Sequence, residues 1–361
     1  MTREVLVDLG DRSYLIRIQP GLLADVGRVC HELGLTSTAL VVSDDNVGVL
    51  YGDACVESLT LSGIHAVRAT VPAGEPSKCL KQLSELYDRA VEVGLDRKSF
   101  VVALGGGVVG DLAGYLAASY LRGIAYVQVP TTLVAMVDSA VGGKTGINLP
   151  QGKNLVGSFW QPSTVCTDLS LLDSLPPREY ISGLAEVIKY GVIWDAELFD
   201  LLEQRRDELV HRDPSLIGKV VARSCAIKAD VVRRDEREGG LRAILNFGHT
   251  VGHAIEKVAA YGTYLHGEAI SIGMVYAAKL SVNQAGFSAF DSDRIETLLK
   301  TYGLPTCATG CAWKDIRMAI CVDKKTADQT PRFVLANRIG QVVFDCEVKE
   351  TDLKSVWLSL R

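Results

Sequence analysis

The chain has 361 residues, a formal net charge of −5 at pH 7 and a hydrophobic fraction of 48%. This length is enough for a sizeable core and predicts two domains, and the composition suits a soluble globular protein. The mild negative charge gives no electrostatic reason to expect nucleic acid as a partner. Small molecules are therefore the expected partners.

Cysteine usage and the N-terminus bear on the compartment. The nine cysteines include no CxxC pair, so neither a disulfide framework nor a cysteine zinc site is predicted. The N-terminus, MTREVLVDLG, lacks a basic segment followed by an apolar one. No apolar run approaches the ~20 residues of a membrane span. The sequence predicts a cytoplasmic protein with no membrane partner.

The first half of the chain alternates apolar, β-branched runs with helical stretches. VLVDLGDRSYLIRIQ predicts a hairpin that turns at Gly10 and Asp11. Further strands are predicted at 39–43, 64–71, 100–104 and 125–129, and helices at 78–93 and from Val108 onward. Such alternation implies parallel strands covered on both faces, and so an α/β domain at residues 1–175.

Helical periodicity replaces the strand pattern from about Pro176. Proline is favoured at the first helical position, so Pro177 suits a helix start. Helices are predicted at 177–190, 196–208, 214–234, 250–260, 268–285 and 294–302, and RFVLANRIGQVVFDCEV predicts one late hairpin. The second domain, residues 176–361, is therefore predicted to be mainly α-helical.

A glycine-rich turn in the first domain suggests a dinucleotide. Gly105, Gly107 and Gly110 have GxGxxG spacing between a strand and a helix, where backbone N–H groups can face a phosphate. The motif alone is weak, because no acid closes the next strand to bind a ribose. The earlier strand ALVVSDDNV ends with Asp44 and Asn46, which suit a ribose or, alternatively, a simple strand-ending turn. Together the two features predict a Rossmann-like parallel-sheet domain that binds a dinucleotide.

The next segment, PTTLVAMVDSAVGGKTGINLPQGKNLVGSF, is rich in glycine and nearly uncharged. Its loop lysines, Lys144 and Lys153, could meet a phosphate, and Asp138 could accept from a hydroxyl. The alternative is a solvated loop.

Charged residues in the helical half allow two interpretations. Glu186 lies in an otherwise apolar helix, where a carboxylate binds a cation or pairs with Lys189, three residues on. The run KADVVRRDEREGGLRAILNFGHT carries Lys228, Glu238, Arg242 and Asn246, although most charges in such a run form a solvated face.

Three of the six histidines fall within one short stretch, LNFGHTVGHAIEKVAAYGTYLHGEAISIGM. His249 and His253 are four residues apart and share a helix face, and His266 follows a turn. Spacing alone predicts a catalytic zinc site formed by these three imidazoles, with helix capping or core packing as the alternative. The absence of an HExxH motif argues against a protease of that class.

Several motifs, in order, resemble those of the 3-dehydroquinate synthase family: PAGEPSK, LGGGVVGDLAGYLAASYLRG, QVPTTLVAMVDSAVGGKTGIN, GKNLVGSF, SGLAEVIKYG, LRAILNFGHTVGHAIE and LHGEAISIGM. The family converts 3-deoxy-D-arabino-heptulosonate 7-phosphate (DAHP) to 3-dehydroquinate and phosphate in the shikimate pathway. The resemblance implies NAD and one divalent metal, zinc or alternatively cobalt, as cofactors, and a homodimer. It also implies oxidation, phosphate elimination, reduction, ring opening and intramolecular aldol closure.

The resemblance assigns residues that spacing leaves open. It implies that the metal ligands are Glu186, His249 and His266, with His253 on the substrate side. Substrate contacts are implied for Arg122, Asp138, Lys144, Lys153, Asn154, Lys189, Lys228, Glu238, Arg242, Asn246 and His253, and for one of Lys324 and Lys325. NAD contacts are implied for Asp44, Asn46, Glu75, Lys78, Gly107, Val108, Val109, Gly110, Asp111, Thr131, Thr132, Lys144, Lys153, Leu171, Leu172, Asp173 and Ser174.

Three other functions remain open. A sister cyclase making an inosose or valiolone shares the cofactor and metal but alters the residues that face the substrate carboxylate. Lys228, Asn246, His253 and the late lysine pair are retained here, which favours the dehydroquinate product. A metal-dependent glycerol or alcohol dehydrogenase would release NADH, and a catalytically silent NAD-binding module would lack metal.

Overall fold

The computed structural model describes residues 2–259, 263–323 and 331–360. The chain divides into two compact units. Unit 1 comprises Met1–Leu175 and Ile217–Arg233, and unit 2 comprises Pro176–Leu216 and Arg234–Arg361. The sequence placed residues 217–233 in the second domain, but Cys225 in this segment donates its Sγ–H to the Met136 carbonyl of unit 1 at 3.2 Å. The separate roles of residues 1–175 and 176–361 remain a prediction.

The strands of the described residues are β1 (Arg3–Val7), β2 (Tyr14–Gln19), β3 (Ala39–Asp44), β4 (Ala66–Val71), β5 (Phe100–Gly105), β6 (Ala125–Pro130), β7 (Lys144–Leu149), β8 (Gly152–Phe159), β9 (Thr164–Asp168), β10 (Arg332–Arg338) and β11 (Gln341–Glu347). Seven of them form the sheet at the centre of unit 1, in the order β1-β2-β9-β6-β5-β3-β4. The strands of this sheet pair in parallel, except that β1 is antiparallel to β2.

The helices cover this sheet and build most of unit 2. They are α1 (Val26–Glu32), α2 (Asp45–Val47), α3 (Asp53–Leu61), α4 (Leu80–Glu92), α5 (Gly107–Ser119), α6 (Pro177–Ile193), α7 (Ala196–Gln204), α8 (Arg206–Val210), α9 (Pro214–Arg234), α10 (His249–Val258), α11 (His266–Gln284), α12 (Ala289–Thr301), α13 (Trp313–Asp323) and α14 (Glu350–Ser359). The predicted class, a Rossmann-like parallel sheet followed by a mainly helical region, is confirmed.

Most predicted elements are present. Helices α1, α2, α3, α13 and α14 were not predicted, and three further differences concern other segments. The predicted helix 196–208 is two helices, α7 and α8. The segment containing Lys144 and Lys153 is not a loop, because β7 and β8 form a separate antiparallel hairpin there. Strand β9, which pairs with β2 and β6, was not predicted.

The central elements could be predicted from the sequence because they are buried. Every residue of β5 is buried, because helices such as α4 and α5 pack across the sheet with Leu86 and Leu112 in the shared core. In unit 2, α11 is buried along most of its length and makes the centre of the helical packing. Within the described residues, no helix is both long enough and apolar enough to cross a membrane.

Candidate functional site

The glycine-rich turn of unit 1 lies where the strand order reverses. The chain passes from β3 outward to β4 and then returns to β5 on the other side of β3. Ser43 and Leu104 are paired in register, so Asp44 and Gly105 end adjacent strands at the same sheet edge. Parallel sheets bind ligands at such a reversal point, outside the carboxyl ends of the strands.

Close packing explains the glycines of this turn. A Cβ at Gly105 would lie 2.6 Å from Val109 Cβ, and a Cβ at Gly110 would lie 2.8 Å from Gln128 Oε1. Helix α5 therefore begins directly against the sheet. The first N–H groups of a helix have no intrahelical acceptor, so those at Gly107, Val108 and Val109 can bind an anion.

Two side chains beside the turn have different environments. The Asp44 carboxylate accepts hydrogen bonds through Oδ1 from the amides of Asn46 at 3.0 Å and Val47 at 2.8 Å. The strand-ending turn is therefore present, and contacts of Asp44 and Asn46 with a ribose remain a prediction. Thr131 donates its backbone N–H to the Gly105 carbonyl at 3.0 Å, and its buried hydroxyl has no hydrogen-bond partner among the residues that the structure describes. That hydroxyl suits a bound polar ligand.

A polar cluster joins the PAGEPSK segment to the β7–β8 hairpin. The buried Lys78 ammonium donates to the Asp111 carboxylate and to Asn154 Oδ1. Asn148 Nδ2 donates to Glu75 Oε1 at 2.7 Å. Burial raises the pKa of Asp111, although the Lys78 charge opposes the shift. Four residues assigned to ligand binding from separate motifs are thus brought together.

The other predicted residues of unit 1 are more dispersed. On α9, Lys228 donates through Nζ to the Asp138 carboxylate at 2.8 Å and to the Asp138 carbonyl at 2.7 Å. Arg122 is exposed and has a left-handed backbone, with a φ of 70°. Ser174 accepts a hydrogen bond from the Tyr51 hydroxyl at 2.6 Å. Leu171 and Leu172 are buried, Asp173 is exposed, and Thr132 Oγ1 accepts from the Ala135 amide at 3.2 Å.

Unit 2 contains a cluster of three residues that could hold a metal ion. Glu186 lies in the middle of α6, and His249 and His266 are the first residues of α10 and α11. Glu186 Oε1 is 3.4 Å from His249 Nε2 and 3.3 Å from His266 Nε2. Bonds of about 2.0–2.2 Å to a tetrahedral zinc ion would place two ligand atoms about 3.3 Å apart. The donor set and its spacing therefore fit a divalent metal.

Burial of the carboxylate supports the same interpretation. The Glu186 side chain is fully buried, and neither of its oxygens receives a hydrogen bond of good geometry from the described part of the chain. The Lys189 ammonium nevertheless lies 2.5 Å from Oε2. The predicted pair with Lys189 is therefore present at Oε2, whereas Oε1 faces the histidines and its binding of a cation remains a prediction.

The charges of this cluster are strongly coupled. Burial alone would raise the pKa of Glu186, but Lys189 and His249 hold it well below its usual range. Burial and the nearby Lys189 charge lower the pKa of His249 to about 4. Burial would also lower the pKa of His266, but Glu186 and Glu256 raise it to about 10. Since a metal needs neutral imidazoles, binding would displace the proton from His266.

Glycines allow the helices that carry the ligands to approach closely. A Cβ at Gly267, next to His266, would lie 1.8 Å from the Ser182 carbonyl oxygen on α6. A Cβ at Gly273 would lie 1.9 Å from the carbonyl oxygen of Gly248, which precedes α10. These backbone contacts bring the three ligands together.

His253 belongs to a second cluster. Its ring centroid lies 5.4 Å from that of His249 and 6.1 Å from that of His266, and its side chain is exposed. Among the described residues, the sets of three groups with ligand atoms within 4.8 Å are Glu186 with His249 and His266, and His253 with Glu256 and His266. The set predicted from spacing alone, with all three histidines, is not among them. Sequence reasoning also missed Glu256, which follows His253 by three residues.

The segment between α9 and α10 is ordered by a carboxylate that the sequence analysis did not select. Asp235 accepts hydrogen bonds from the backbone amides of Gly239, Gly240 and Arg242 at 2.8–2.9 Å. Arg242 is 1% exposed and donates to the Glu236 carbonyl, so the solvated face proposed for this run is wrong at Arg242. Asn246 Nδ2 donates to Glu238 Oε1 at 3.1 Å, which places these two predicted residues together. Lys324 and Lys325 lie outside the described residues.

Replacing Asp235 by asparagine is expected to destabilise the protein by about 1–3 kcal/mol, because backbone donors lose a charged acceptor. Those bonds, led by that from Arg242, lower the pKa of Asp235. Its contribution is therefore full at neutral pH and is lost as pH falls below the unfolded value of about 3.9. Urea denaturation at pH 7 measures the effect. Asp207→Asn is the control, because its side chain is 80% exposed; an equal loss there would contradict the prediction.

Comparison with known proteins identifies the family. The family model for the 3-dehydroquinate synthase N-terminal region matches residues 68–182, and that for the C-terminal region matches residues 183–326. The 3-dehydroquinate synthase of Desulforamulus reducens is 49% identical over 353 residues, which are 98% of each chain.

Solved structures agree with this assignment. A 2-epi-5-epi-valiolone synthase from Streptomyces hygroscopicus, determined with NAD+ and Zn2+, has a TM-score of 0.89 and 30% identity, with 98% of each chain covered. A 2-deoxy-scyllo-inosose synthase, determined with carbaglucose-6-phosphate, NAD+ and Co2+, has a TM-score of 0.90 and 27% identity over the whole of both chains. The likeness to these two cyclases extends over both units, and with the matches above it places the chain in the 3-dehydroquinate synthase family.

Proposed function

We propose that this protein is a 3-dehydroquinate synthase that converts DAHP to 3-dehydroquinate and phosphate with NAD and one divalent metal, zinc or cobalt. The observation that carries the proposal is the convergence of Glu186, His249 and His266 at tetrahedral ligand spacing. It occurs in a chain that is 49% identical to a 3-dehydroquinate synthase over 98% of its length.

The two cofactors define what the protein must provide. When bound, the metal supplies Lewis acidity toward substrate oxygens and NAD supplies a reversible hydride acceptor. Glu186, His249 and His266 would hold the metal, while the Lys189 ammonium pairs with the second oxygen of Glu186. Glu186 would then offer the metal the oxygen Oε1, and the bound ion would supply its Lewis acidity to substrate oxygen atoms.

Unit 1 provides the residues for NAD. The first amides of α5 and the unpartnered Thr131 hydroxyl suit the pyrophosphate, and Asp44 suits a ribose. The contacts of Lys78 with Asp111 and Asn154 fix side chains that the family motifs assign to NAD and substrate. Lys144 and Lys153 supply positive charge for phosphate from the β7–β8 hairpin.

The proposed reaction requires proton transfer as well as charge stabilisation. Oxidation of a ring carbinol acidifies the adjacent C–H, and phosphate then leaves by elimination. His253 is exposed next to the two histidine ligands, so its imidazole suits a proton acceptor or donor at the substrate. Reduction, ring opening and intramolecular aldol closure complete the turnover. Lys228, Arg242 and Asn246 supply polar contacts for the substrate anions.

A sister-cyclase activity is the second candidate, because the solved valiolone and inosose synthases are similar in fold. Their identities of 30% and 27% are well below the 49% of the 3-dehydroquinate synthase relative. The dehydroquinate product is therefore preferred. The homodimer implied by the family remains a prediction.

The deciding experiment incubates the purified protein, zinc and NAD with DAHP and measures phosphate and the organic product. We expect equimolar phosphate and 3-dehydroquinate, and no accumulation of free NADH, because the hydride returns within each turnover. Removal of metal by a chelator should abolish turnover, and zinc or cobalt should restore it. Phosphate released only from a hexose phosphate would favour a sister cyclase, and NADH formed in proportion to product would indicate a dehydrogenase.

A further inference from the structure

We propose that Glu256 is a positioning residue for the metal centre: it accepts the Nδ1–H of His266 and so directs Nε2 toward the metal. The inference rests on the proposed function only in that it assumes a metal at Glu186, His249 and His266. Glu256 itself is not expected to contact metal, substrate or NAD.

The two histidines present the same atom to Glu186. His249 Nε2 and His266 Nε2 lie 3.4 Å and 3.3 Å from Glu186 Oε1. On the opposite side of each ring, Nδ1 faces an acceptor: the Phe247 carbonyl lies 3.1 Å from His249, and Glu256 Oε2 lies 3.7 Å from His266. A histidine that donates through one nitrogen coordinates through the other, so both acceptors favour the same ligand atom.

The two histidines differ in exposure, so we expect the orientation of the more exposed His266 ring to depend more on a side-chain partner. The His249 side chain is 11% exposed and is held by surrounding atoms, whereas that of His266 is 34% exposed at the start of α11. The Glu256 side chain is 11% exposed, so its carboxylate is sheltered enough for a strong interaction. Helix α10 thus carries one ligand, His249, and also the partner of the other, His266.

The identity of the acceptor has a chemical consequence. A carboxylate partner increases the basicity of a ligand imidazole more than a neutral carbonyl does, and such outer partners typically change metal affinity about 10–100-fold. We therefore expect the charge of Glu256, and not only its shape, to strengthen metal binding.

A competing interpretation is that His253, Glu256 and His266 hold a second metal ion, because their ligand atoms also lie within 4.8 Å of one another. This set shares His266 with the first cluster. Simultaneous coordination at both ring nitrogens would require deprotonation of Nδ1, which is unfavourable near neutral pH. The positioning role needs no such deprotonation.

The test compares Glu256→Gln and Glu256→Ala with the parent and with Lys257→Gln, an exposed change on the same helix. Zinc and cobalt dissociation constants are measured by competition with a chromophoric chelator, without NAD or substrate. We expect Glu256→Gln to weaken binding about 10–100-fold and to shift the visible bands of the cobalt protein. Glu256→Ala should weaken it at least as much, and Lys257→Gln should match the parent.

Three results would overturn the proposal. Parental affinity and cobalt bands in Glu256→Gln would show that the carboxylate charge is not used. Two bound ions per parent chain, with one lost in Glu256→Gln, would establish the second metal site instead. Loss of the metal-free fold in Glu256→Gln, judged by circular dichroism, would assign Glu256 to folding. If Glu256→Gln binds metal more weakly but the parent protein is inactive on DAHP, the proposed function is rejected and the role of Glu256 is retained.

Discussion

Alanine at Glu186, His249 or His266 is expected to remove the bound metal and the activity that depends on it. Each substitution deletes one of three donors whose spacing fits a tetrahedral ion. The loss of affinity should exceed the ~10–100-fold effect of an outer partner. Elemental analysis of purified protein after dialysis measures the retained metal.

The matched control is His253→Ala, on the same helix as His249. His253 is not among the groups clustered with Glu186, so this variant should keep parental metal content. Its activity should nevertheless fall by about 100-fold or more if the imidazole transfers a proton. Metal loss in His253→Ala equal to that in His249→Ala would restore the ligand set predicted from histidine spacing.

Glu186→Ala should also lower stability. It would leave the Lys189 ammonium, whose side chain is 1% exposed, without the carboxylate 2.5 Å away. Removal of one member of a buried ion pair typically costs about 3–5 kcal/mol. His249→Ala and His266→Ala retain that pair, so a smaller change in their free energy of unfolding is expected.

Gly267→Ala is expected to destabilise unit 2 and weaken metal binding together. The added Cβ would lie 1.8 Å from the Ser182 carbonyl oxygen, so α6 and α11 would have to separate. The Gly267 amide would then lose its hydrogen bond to Ser182 Oγ, now 3.0 Å long. Overpacking of this kind costs about 1–3 kcal/mol, which for a unit of this size is a fall of the thermal midpoint of roughly 2–12 °C. Calorimetry and metal titration measure the two effects.

Gly218→Ala on α9 is the control for a general effect of glycine replacement. Its Cβ would meet only the side-chain atoms Leu169 Cδ1 at 3.1 Å and Arg3 Nε at 3.6 Å, which can move. Alanine also favours a helix over glycine by about 1 kcal/mol, so little change or a slight gain in stability is expected. A parental midpoint in Gly267→Ala would mean that the helix contact at Ser182 is not tight.

Strands were predicted most accurately from the sequence where they are completely buried. Strands β3 and β5 are apolar runs because helices cover both faces of the sheet, and the sequence located them within a residue or two. The β7–β8 hairpin was taken for a loop because glycines and lysines interrupt its apolar pattern. At α11, Leu265 replaces the usual polar N-cap, so the prediction began at Glu268, whose carboxylate accepts from the Leu265 amide at 2.8 Å.

In the candidate site, local sequence specifies which residues share one helix face, whereas packing between helices specifies which residues lie close together. Helical periodicity placed His249 and His253 on one face of α10, but it could not choose between them, because the third ligand comes from another helix. Glu186 lies 63 positions before His249 in the sequence. Its apolar helix left a cation ligand and a pair with Lys189 equally open, and only the resemblance to a family grouped it with His249 and His266.

The sequence by itself determined the change from alternating strands to helices near Pro176, the glycine-rich turn between a strand and a helix, and the residue types that suit a metal, because each depends on local periodicity and chemistry. The tertiary structure decided which groups lie close enough together to hold one ion. The closeness of Gly267 to Ser182 brings α11 against α6, so Oε1 of Glu186 and Nε2 of His266 come within 3.3 Å. The close approach of Gly273 to the Gly248 carbonyl brings α11 against the start of α10, and Glu256 Oε2 lies 3.7 Å from the other nitrogen of His266. Such convergence depends on the distance between helices, and spacing along a single helix carries no information about that distance.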